Sequence, residues 1–313
     1  MGEDLRLRET DAAGATIAEV ALWWTQAPPL AGERLGFIGS FSATSETATV
    51  AVLRRAAAEL RVRGCTLAVG PMDGNTWRRY RLVTEPGNEP PFFLEPTNPA
   101  EWPAWWRAAG FGPLAEYYST ATDDLAAQDA RLDAVALRMA AAGVTIRPLD
   151  PARFEEELEK IYAVSVVSFQ QNYLYTPLPK EAFVAQYRAI QARVRPELVL
   201  LAEQAGRPVG YLFATPDYAQ AQRGGAVTTV IVKTLAVLPG RAYAGLGALL
   251  MGEAHAAGRR LGFTRAIHAL MHESNKVRNL SAIYARTIRR YTLFAKRLND
   301  PPGGASGDTM KIA

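Results

Sequence analysis

The sequence predicts a mixed α/β protein made of two related units in tandem. Three observations carry that reading. Apolar runs of strand length alternate with amphipathic runs of helix length along much of the chain. Two strand–loop–helix runs are alike, Ile38 to Leu53 (IGSFSATSETATVAVL) and Leu235 to Leu250 (LAVLPGRAYAGLGALL), at an offset of 197. The length, 313 residues, suits about two domains.

The repeat continues downstream. Each helix closes at a glycine, Gly64 or Gly262, and an apolar strand follows. Met72-Asp-Gly-Asn75 then faces Met271-His-Glu-Ser-Asn275 at offsets of 199 and 200, the drift that small loop insertions in a duplicated unit produce.

In the second unit, Val144 to Leu149 reads as a strand, Pro151 to Phe169 as a helix with acids in its first turns, and Pro179 to Arg193 as another helix. Leu198 to Glu203, the turn Gln204 to Arg207 and Pro208 to Ala214 form a strand hairpin, with Gly206 supplying the turn. Val227 to Val237 is a strand, Ala244 to Arg260 a helix and Thr264 to Met271 a strand. A helix over about Val277 to Thr287 and a strand over Arg290 to Lys296 close the unit.

The first unit reads as abbreviated. It has a strand at Gly36 to Phe41, a helix at Glu46 to Arg63, a strand at Cys65 to Val69, a short helix at Ala104 to Ala109 and a strand at Leu114 to Ser119. The opening strand and helices of the second unit have no clear counterpart in it. Asp123 to Ala142 is an alanine-rich linker helix stopped by Gly143. The expected domains are therefore 1–142, including linker helix 123–142, and 143–313.

Composition excludes several classes. Hydrophobic residues at 49% and charged residues at 21% fit neither a collagen-like, a coiled-coil nor a disordered chain. One cysteine, Cys65, and three histidines leave no disulfide and no cysteine or histidine metal cluster, so no metal is expected and a reducing cytoplasm fits. No apolar run approaches the roughly 20 residues of a spanning helix, so no membrane is expected. Charge is uneven: residues 1–258 carry 24 bases and 28 acids, whereas 259–297 carry 10 bases and one acid. That basic stretch either meets an anion or is a solvated face. Its aromatic residues are spaced like core positions and it holds no recognised nucleic-acid motif, so nucleic acid is not an expected partner.

The most specific chemical signal is the loop from Val237 to Gly247, lying between a strand and a helix. Its glycines let a phosphate approach the backbone, and a helix start offers unpaired N–H groups. Close packing of helix on sheet is the other use of such glycines. The loop is neither a Walker loop nor a dinucleotide fingerprint.

This order of elements, with a strand, Gly245-Leu-Gly247 and a helix, resembles the GNAT superfamily of acyl-CoA N-acyltransferases from about Val144 to Lys296. The first unit resembles it through the Ala109-Gly110-Phe111 helix end followed by Tyr117-Tyr118-Ser119. The resemblance implies that Arg241, Ala242, Tyr243, Ala244, Gly245, Leu246 and Gly247 bind the coenzyme A pyrophosphate. Ala242 stands where the family has Arg or Gln, and Arg241 comes one place early. It also implies that the strand splays at Leu235, Ala236 and Val237 to bond the pantetheine arm, that Asn275 or Asn279 contacts the cofactor, and that Tyr284 protonates the sulfur. The implied donor is acetyl-CoA.

The corresponding loop of the first unit, Ser42 to Thr49, has no glycine and adds Glu46, an acid that satisfies a helix dipole from within and repels phosphate. The first unit is expected to keep the fold without the cofactor. His268 and His272 fall on one strand face by alternation, with Glu273 on the other, and His272 is the candidate base. Arg278, Arg286, Arg289 and Arg290 are candidates for the adenosine phosphates or for a solvated face. Tyr173 and Tyr175, in the polar and aromatic run Gln170 to Pro177, are candidate acceptor contacts. The reading is an N-acetyltransferase acting on a small-molecule amine. A catalytically inactive acyl-CoA-binding sensor or scaffold is the alternative.

Overall fold

A single mixed sheet of 12 strands runs through the protein; the computed structural model describes residues 2–126, 130–273 and 285–298. The first unit contributes β1 (Leu5–Thr10), β2 (Thr16–Trp23), β3 (Leu35–Ala43), α1 (Glu46–Val62), β4 (Leu67–Gly70), β5 (Leu82–Glu85), α2 (Trp102–Ala108) and β6 (Gly112–Thr122). After α3 (Leu132–Ala141) come β7 (Val144–Pro148), α4 (Phe154–Ser168), α5 (Lys180–Arg188), β8 (Val199–Gln204), β9 (Arg207–Pro216) and α6 (Tyr218–Gln222). β10 (Thr229–Val237), α7 (Leu246–Arg260), β11 (Arg265–His272) and β12 (Arg286–Arg297) complete the described chain.

The strand order is β1-β2-β3-β4-β12-β6-β11-β10-β9-β8-β7, with β5 continuing the edge of β12 beyond β4. In each unit two antiparallel strands lead into a parallel pair: β3 with β4 across α1, and β10 with β11 across α7. The strand that covers each parallel pair comes from the other unit. β12 lies antiparallel on β4, β6 lies antiparallel on β11, and the two pair with each other at the centre. The first unit's core accordingly contains Phe294 and Leu298 from the far end of the chain, packed with Leu53, Trp106 and Phe111.

The first unit is less abbreviated than its sequence suggests. β1 and β2 form a hairpin in front of β3, where β8 and β9 stand before β10. Leu5-Arg-Leu-Arg has the period-two alternation of an edge strand: Leu7 is buried, while Arg6 and Arg8 both reach Glu19 on β2. The linker helix is Leu132–Ala141, shorter than Asp123 to Ala142: after β6 the Thr122 hydroxyl accepts from the Asp124 amide and the Asp124 carboxylate from the Ala126 amide, local bonds that hold this stretch in turns. The last strand starts at Arg286, so Arg286 and Thr287 are strand residues and not a helix end. The rest of the expected helix, 277–284, lies outside the described residues.

The basic C-terminal stretch faces acids of the first unit. Arg265 and Arg286 share Glu89, Arg289 meets Glu95 at 2.7 Å, Arg290 meets Glu85 at 3.4 Å, and Arg297 meets Glu33. The two guanidiniums hold the Glu89 carboxyl down to about 2. The uneven charge thus reports complementarity between the units, and Arg286, Arg289 and Arg290 are committed to it.

Because Phe294 is fully buried against Trp106, at 6.2 Å between ring centroids, Phe294→Ala is expected to cost about 3–5 kcal/mol. Urea unfolding followed by tryptophan fluorescence, which reports largely on the first unit, measures it; a loss below about 1 kcal/mol contradicts the shared core.

Candidate functional site

Parallel pairing in the second unit is brief. β10 and β11 pair over Thr229–Val232 and Arg265–His268 and then part. Irregularities lie on both strands at the fork: the β9 register slips at Lys233, and the β6 register slips between His268 and Met271, where Leu270 takes φ 62°. Beyond the fork Leu235, Ala236 and Val237 pair with Leu212, Tyr211 and Gly210 of β9. Their other edge has no strand partner among the described residues, which leaves backbone groups to face a slot.

Helix α7 starts at the mouth of this slot. Gly245 is its N-cap at φ 86°, and no side chain caps it. The first internal bond runs from the Leu249 amide to the Gly245 carbonyl, so the amides of residues 246–248 have no intrahelical acceptor. A side chain at Gly245 would be strained and would meet Val135 at 2.9 Å. A Cβ at Gly247, by contrast, would lie 3.6 Å from Leu235, an ordinary contact, so packing does not require glycine there. Arg241, Ala242 and Tyr243 form a single 3-10 turn. The Tyr243 hydroxyl is turned to Gln204 at 2.8 Å, and the Ala244 carbonyl accepts from Arg138 of α3.

The equivalent places in the first unit are closed by the chain itself. Two residues join β3 to α1 where eight join β10 to α7, so the helix starts, at Glu46 and Leu246, are 200 apart and not 197. Ser45 caps α1 by accepting from the Ala48 amide at 3.2 Å. β3 and β4 also part after Phe37 and Val69, but the gap is filled: the Met72 amide donates to the Ile38 carbonyl at 2.8 Å and Asp73 accepts from the Ser40 amide. Gly39 is required there, since a Cβ would stand 2.3 Å from the Met72 carbonyl oxygen.

The filling loop reaches on into the second unit. The Trp77 indole donates to the Thr176 carbonyl at 2.8 Å and packs on Phe169, Tyr175 and Phe183. Tyr175 thereby joins an aromatic wall. Tyr173 stands beside the His272 imidazole, 5.8 Å between centroids, and Tyr117 meets the same ring edge-on at 4.9 Å. Burial, reinforced by the Arg81 charge, lowers the His272 pKa. Sequence reasoning missed two residues at this place. Arg81 follows a glycine-rich loop, and Lys233 interrupts the apolar run Val230-Ile-Val-Lys-Thr-Leu; a lone cation in an otherwise buried strand was the available signal. Burial, with Arg81 nearby, pushes the Lys233 ammonium down to about 7.

His268 is not on the His272 face. It is buried against α7, its Nε2 3.0 Å from Nε2 of His255 and the rings inclined by only 9°. The extra residue at Leu270 inverts the alternation beyond it. Asn275, Asn279 and Tyr284 lie outside the described residues, as does Arg278.

An open mixed sheet with a forked parallel pair and an uncapped helix start beside the fork is what these residues build. Residues 158–281, all in the second unit, match the family model of the "Acetyltransferase (GNAT) family", an acyltransferase family whose fold implies an acyl-CoA donor, and the chain as a whole resembles tandem proteins of that fold. Over 194 residues, 62% of this chain, it is 23% identical to the bacterial ceramide synthase of Caulobacter vibrioides, and it spans about half (50%) of that curated relative. Among solved structures it is similar to a GCN5-related glucosamine N-acetyltransferase region of a fungal multi-domain GH3 β-N-acetylglucosaminidase, at 15% identity over 93% of this chain and 33% of that one, TM-score 0.55. A GCN5-related N-acetyltransferase from Sphaerobacter thermophilus matches at 12% identity over 94% of this chain and 80% of that one, TM-score 0.51. No helix of the described residues is long and apolar enough to cross a membrane.

The histidine pair generates a pH prediction. Burial holds His255 at about 4 and His268 at about 3, against an ordinary value of 6.5. Folded pKa values below the unfolded one mean that the pair's stability is fully present above pH 6.5 and is lost as pH falls towards 4. Each site contributes a slope of about 1.4 kcal/mol per pH unit at most. Urea unfolding between pH 7 and 4 is expected to show a steeper decline in the parent than in the doubly substituted His255→Leu, His268→Leu protein; equal slopes contradict a neutral native pair.

Proposed function

We propose that this chain transfers an acetyl group from acetyl-CoA to a primary amine of a small acceptor, with the chemistry confined to the second unit. The observation that carries this reading is the fork of β10 and β11 opening beside an uncapped α7, with a glycine at position 247 that packing does not demand. The amides of residues 246–248 and the positive end of the helix suit a pyrophosphate, and Arg241 adds a cation at the loop. The edge of Leu235–Val237 away from β9, where the Ser168 hydroxyl already donates to the Val237 carbonyl at 3.0 Å, suits the amide groups of a pantetheine arm.

Acetyl-CoA would supply its acyl group as a thioester. Transfer exchanges a C–S for a C–N bond, so the chain must take one proton from the acceptor nitrogen and deliver one to the sulfur. His272, half-buried and with a lowered pKa, is neutral at pH 7 and is the proposed acceptor of the first proton. Tyr284 is the proposed donor of the second, on the family resemblance. The first unit is assigned no cofactor, because Ser45, Met72 and Asp73 use the groups that a donor would need; through Trp77 it walls the acceptor side.

A longer acyl group is the second reading, favoured by the relative named a ceramide synthase.

Thermal unfolding with acetyl-, octanoyl- and palmitoyl-CoA separates the two readings. At 100 times its dissociation constant a bound donor stabilises by about 2.7 kcal/mol, which raises the midpoint by several degrees. Acetyl-CoA is expected to give that shift in the parent and in Gly247→Ala, and none in a still-folded Gly247→Glu. A shift with the long chains alone selects the second reading, and none with any donor overturns the acyltransferase reading.

A further inference from the structure

A buried charge is normally paired, because leaving water without compensation costs several kcal/mol. Arg81 departs from this rule. It is 5% exposed, and among the described residues no carboxylate reaches its guanidinium. Its partners are ring faces, Tyr80 at 4.0 Å, Tyr117 at 4.2 Å and Tyr291 at 5.8 Å, and the Leu270 carbonyl at 3.5 Å, the limit of a hydrogen bond. Nε has no hydrogen-bond partner among the described residues. The backbone is also held at φ 65°, a conformation a bulky residue adopts only under constraint, and the Arg81 amide is fixed on the Pro71 carbonyl at 2.8 Å.

A second cation stands in the same field. Lys233, at the fork, donates to the Leu94 carbonyl at 3.1 Å and makes no ion pair among the described residues. The acids beside this cluster are engaged: Glu95 is ion-paired with Arg289 at 2.7 Å and accepts from the Tyr291 hydroxyl, and Glu273, next to His272, faces Arg290 at 3.9 Å. His272 feels the Arg81 charge as well. Residues 274–284, which follow β11, contain no Asp or Glu in sequence. Tyr80 and Leu270, which touch the guanidinium, and Lys233 and His272, which feel its charge, are all half-buried and not sealed, so the cluster reaches solvent beside the fork.

We infer that Arg81 and Lys233 form an anion-binding subsite for the acceptor, which therefore carries an acid group, a carboxylate or a phosphate, besides its amine. This rests on the acyltransferase reading and narrows its substrate class. A guanidinium stacked between tyrosines presents its free edge to a planar or tetrahedral oxyanion. An acid group bound there leaves the amine of the same molecule to reach His272 and the fork. The first unit then has a direct share in specificity, since Arg81 belongs to the loop that closes its own slot.

Binding is tested without turnover. Thermal unfolding is followed with N-acetylglycine against N-acetylglycinamide, with O-phosphoethanolamine against ethanolamine, each counterpart lacking the acid group, with inorganic phosphate, and separately with acetyl-CoA. The expected result is a saturable rise of about 2 °C or more with at least one anion and none with the counterpart that lacks the acid group. Carboxylate alone or phosphate alone identifies the acid group. Arg81→Met and Lys233→Met are expected to lose the anion shift while keeping the acetyl-CoA shift, and Arg81→Lys to retain part of it. No anion shift in the parent, or an undiminished one in both methionine variants, overturns the subsite. Loss of the acetyl-CoA shift from the parent overturns the acyltransferase reading instead.

Discussion

The pairing of β6 with β12 is the constraint on which the rest of this structure depends. A parallel pair joined through a helix leaves one edge of its second strand open, and open edges invite pairing. Here each unit's edge is covered by a strand of the other, and the two covering strands lie side by side over Gly112–Ala121 and Arg286–Ala295. The seam is not purely apolar. Ser119 of β6 bonds the Tyr291 hydroxyl of β12 at 3.0 Å, and the same Ser119 hydroxyl accepts from the Leu270 amide at the β11 irregularity. The seam therefore fixes the shape of the strand that borders the candidate site.

Two units with one plan differ in small ways at one loop. Shortening the connection after β3 to two residues brings a serine to the helix cap, and the cap consumes the N–H that a phosphate would take. The gap between β3 and β4 survives as geometry but is filled by Met72 and Asp73 of the chain's own loop. In the second unit the longer connection leaves the cap to a glycine in the left-handed region and the gap without a strand across it. Having closed its own slot, the first unit's loop extends Trp77 and Arg81 towards the other one.

How much of this was legible in sequence follows from the range of each interaction. The Gly245-Leu-Gly247 loop, the linker helix and the β8–β9 hairpin are set by neighbours in the chain, and the sequence shows them. Tyr173 and Tyr175 read as loop residues, but the rings they meet, His272 and Trp77, are about 100 residues away in chain order and no local pattern reveals them. The exchanged strands could not be read, because local pattern carries no information on which edge a strand will cover. The β1–β2 hairpin was hidden by its own chemistry: alternating Leu and Arg reads as charge until Glu19 is seen between Arg6 and Arg8. The face of His272 depended on one irregular residue, Leu270, that no periodicity reveals.

The same distinction governs the charges. In sequence the basic run 259–297 suggested an external anion or a solvated face, whereas in the fold five of its arginines, Arg265, Arg286, Arg289, Arg290 and Arg297, find Glu33, Glu85, Glu89 and Glu95 of the first unit. Those pairs join the units. Arg81 and Lys233 lie outside this arrangement, one contributed by each unit, and both are half or wholly buried without a carboxylate of their own. Lys233 meets its burial partly by proton loss, its ammonium being pushed down to about 7, as half-buried Lys296 of β12 is also pushed down beside the Ala109 carbonyl. A guanidinium cannot shed its proton in this way, so Arg81 is the cation for which the proposed acid group of a bound acceptor would supply the compensation.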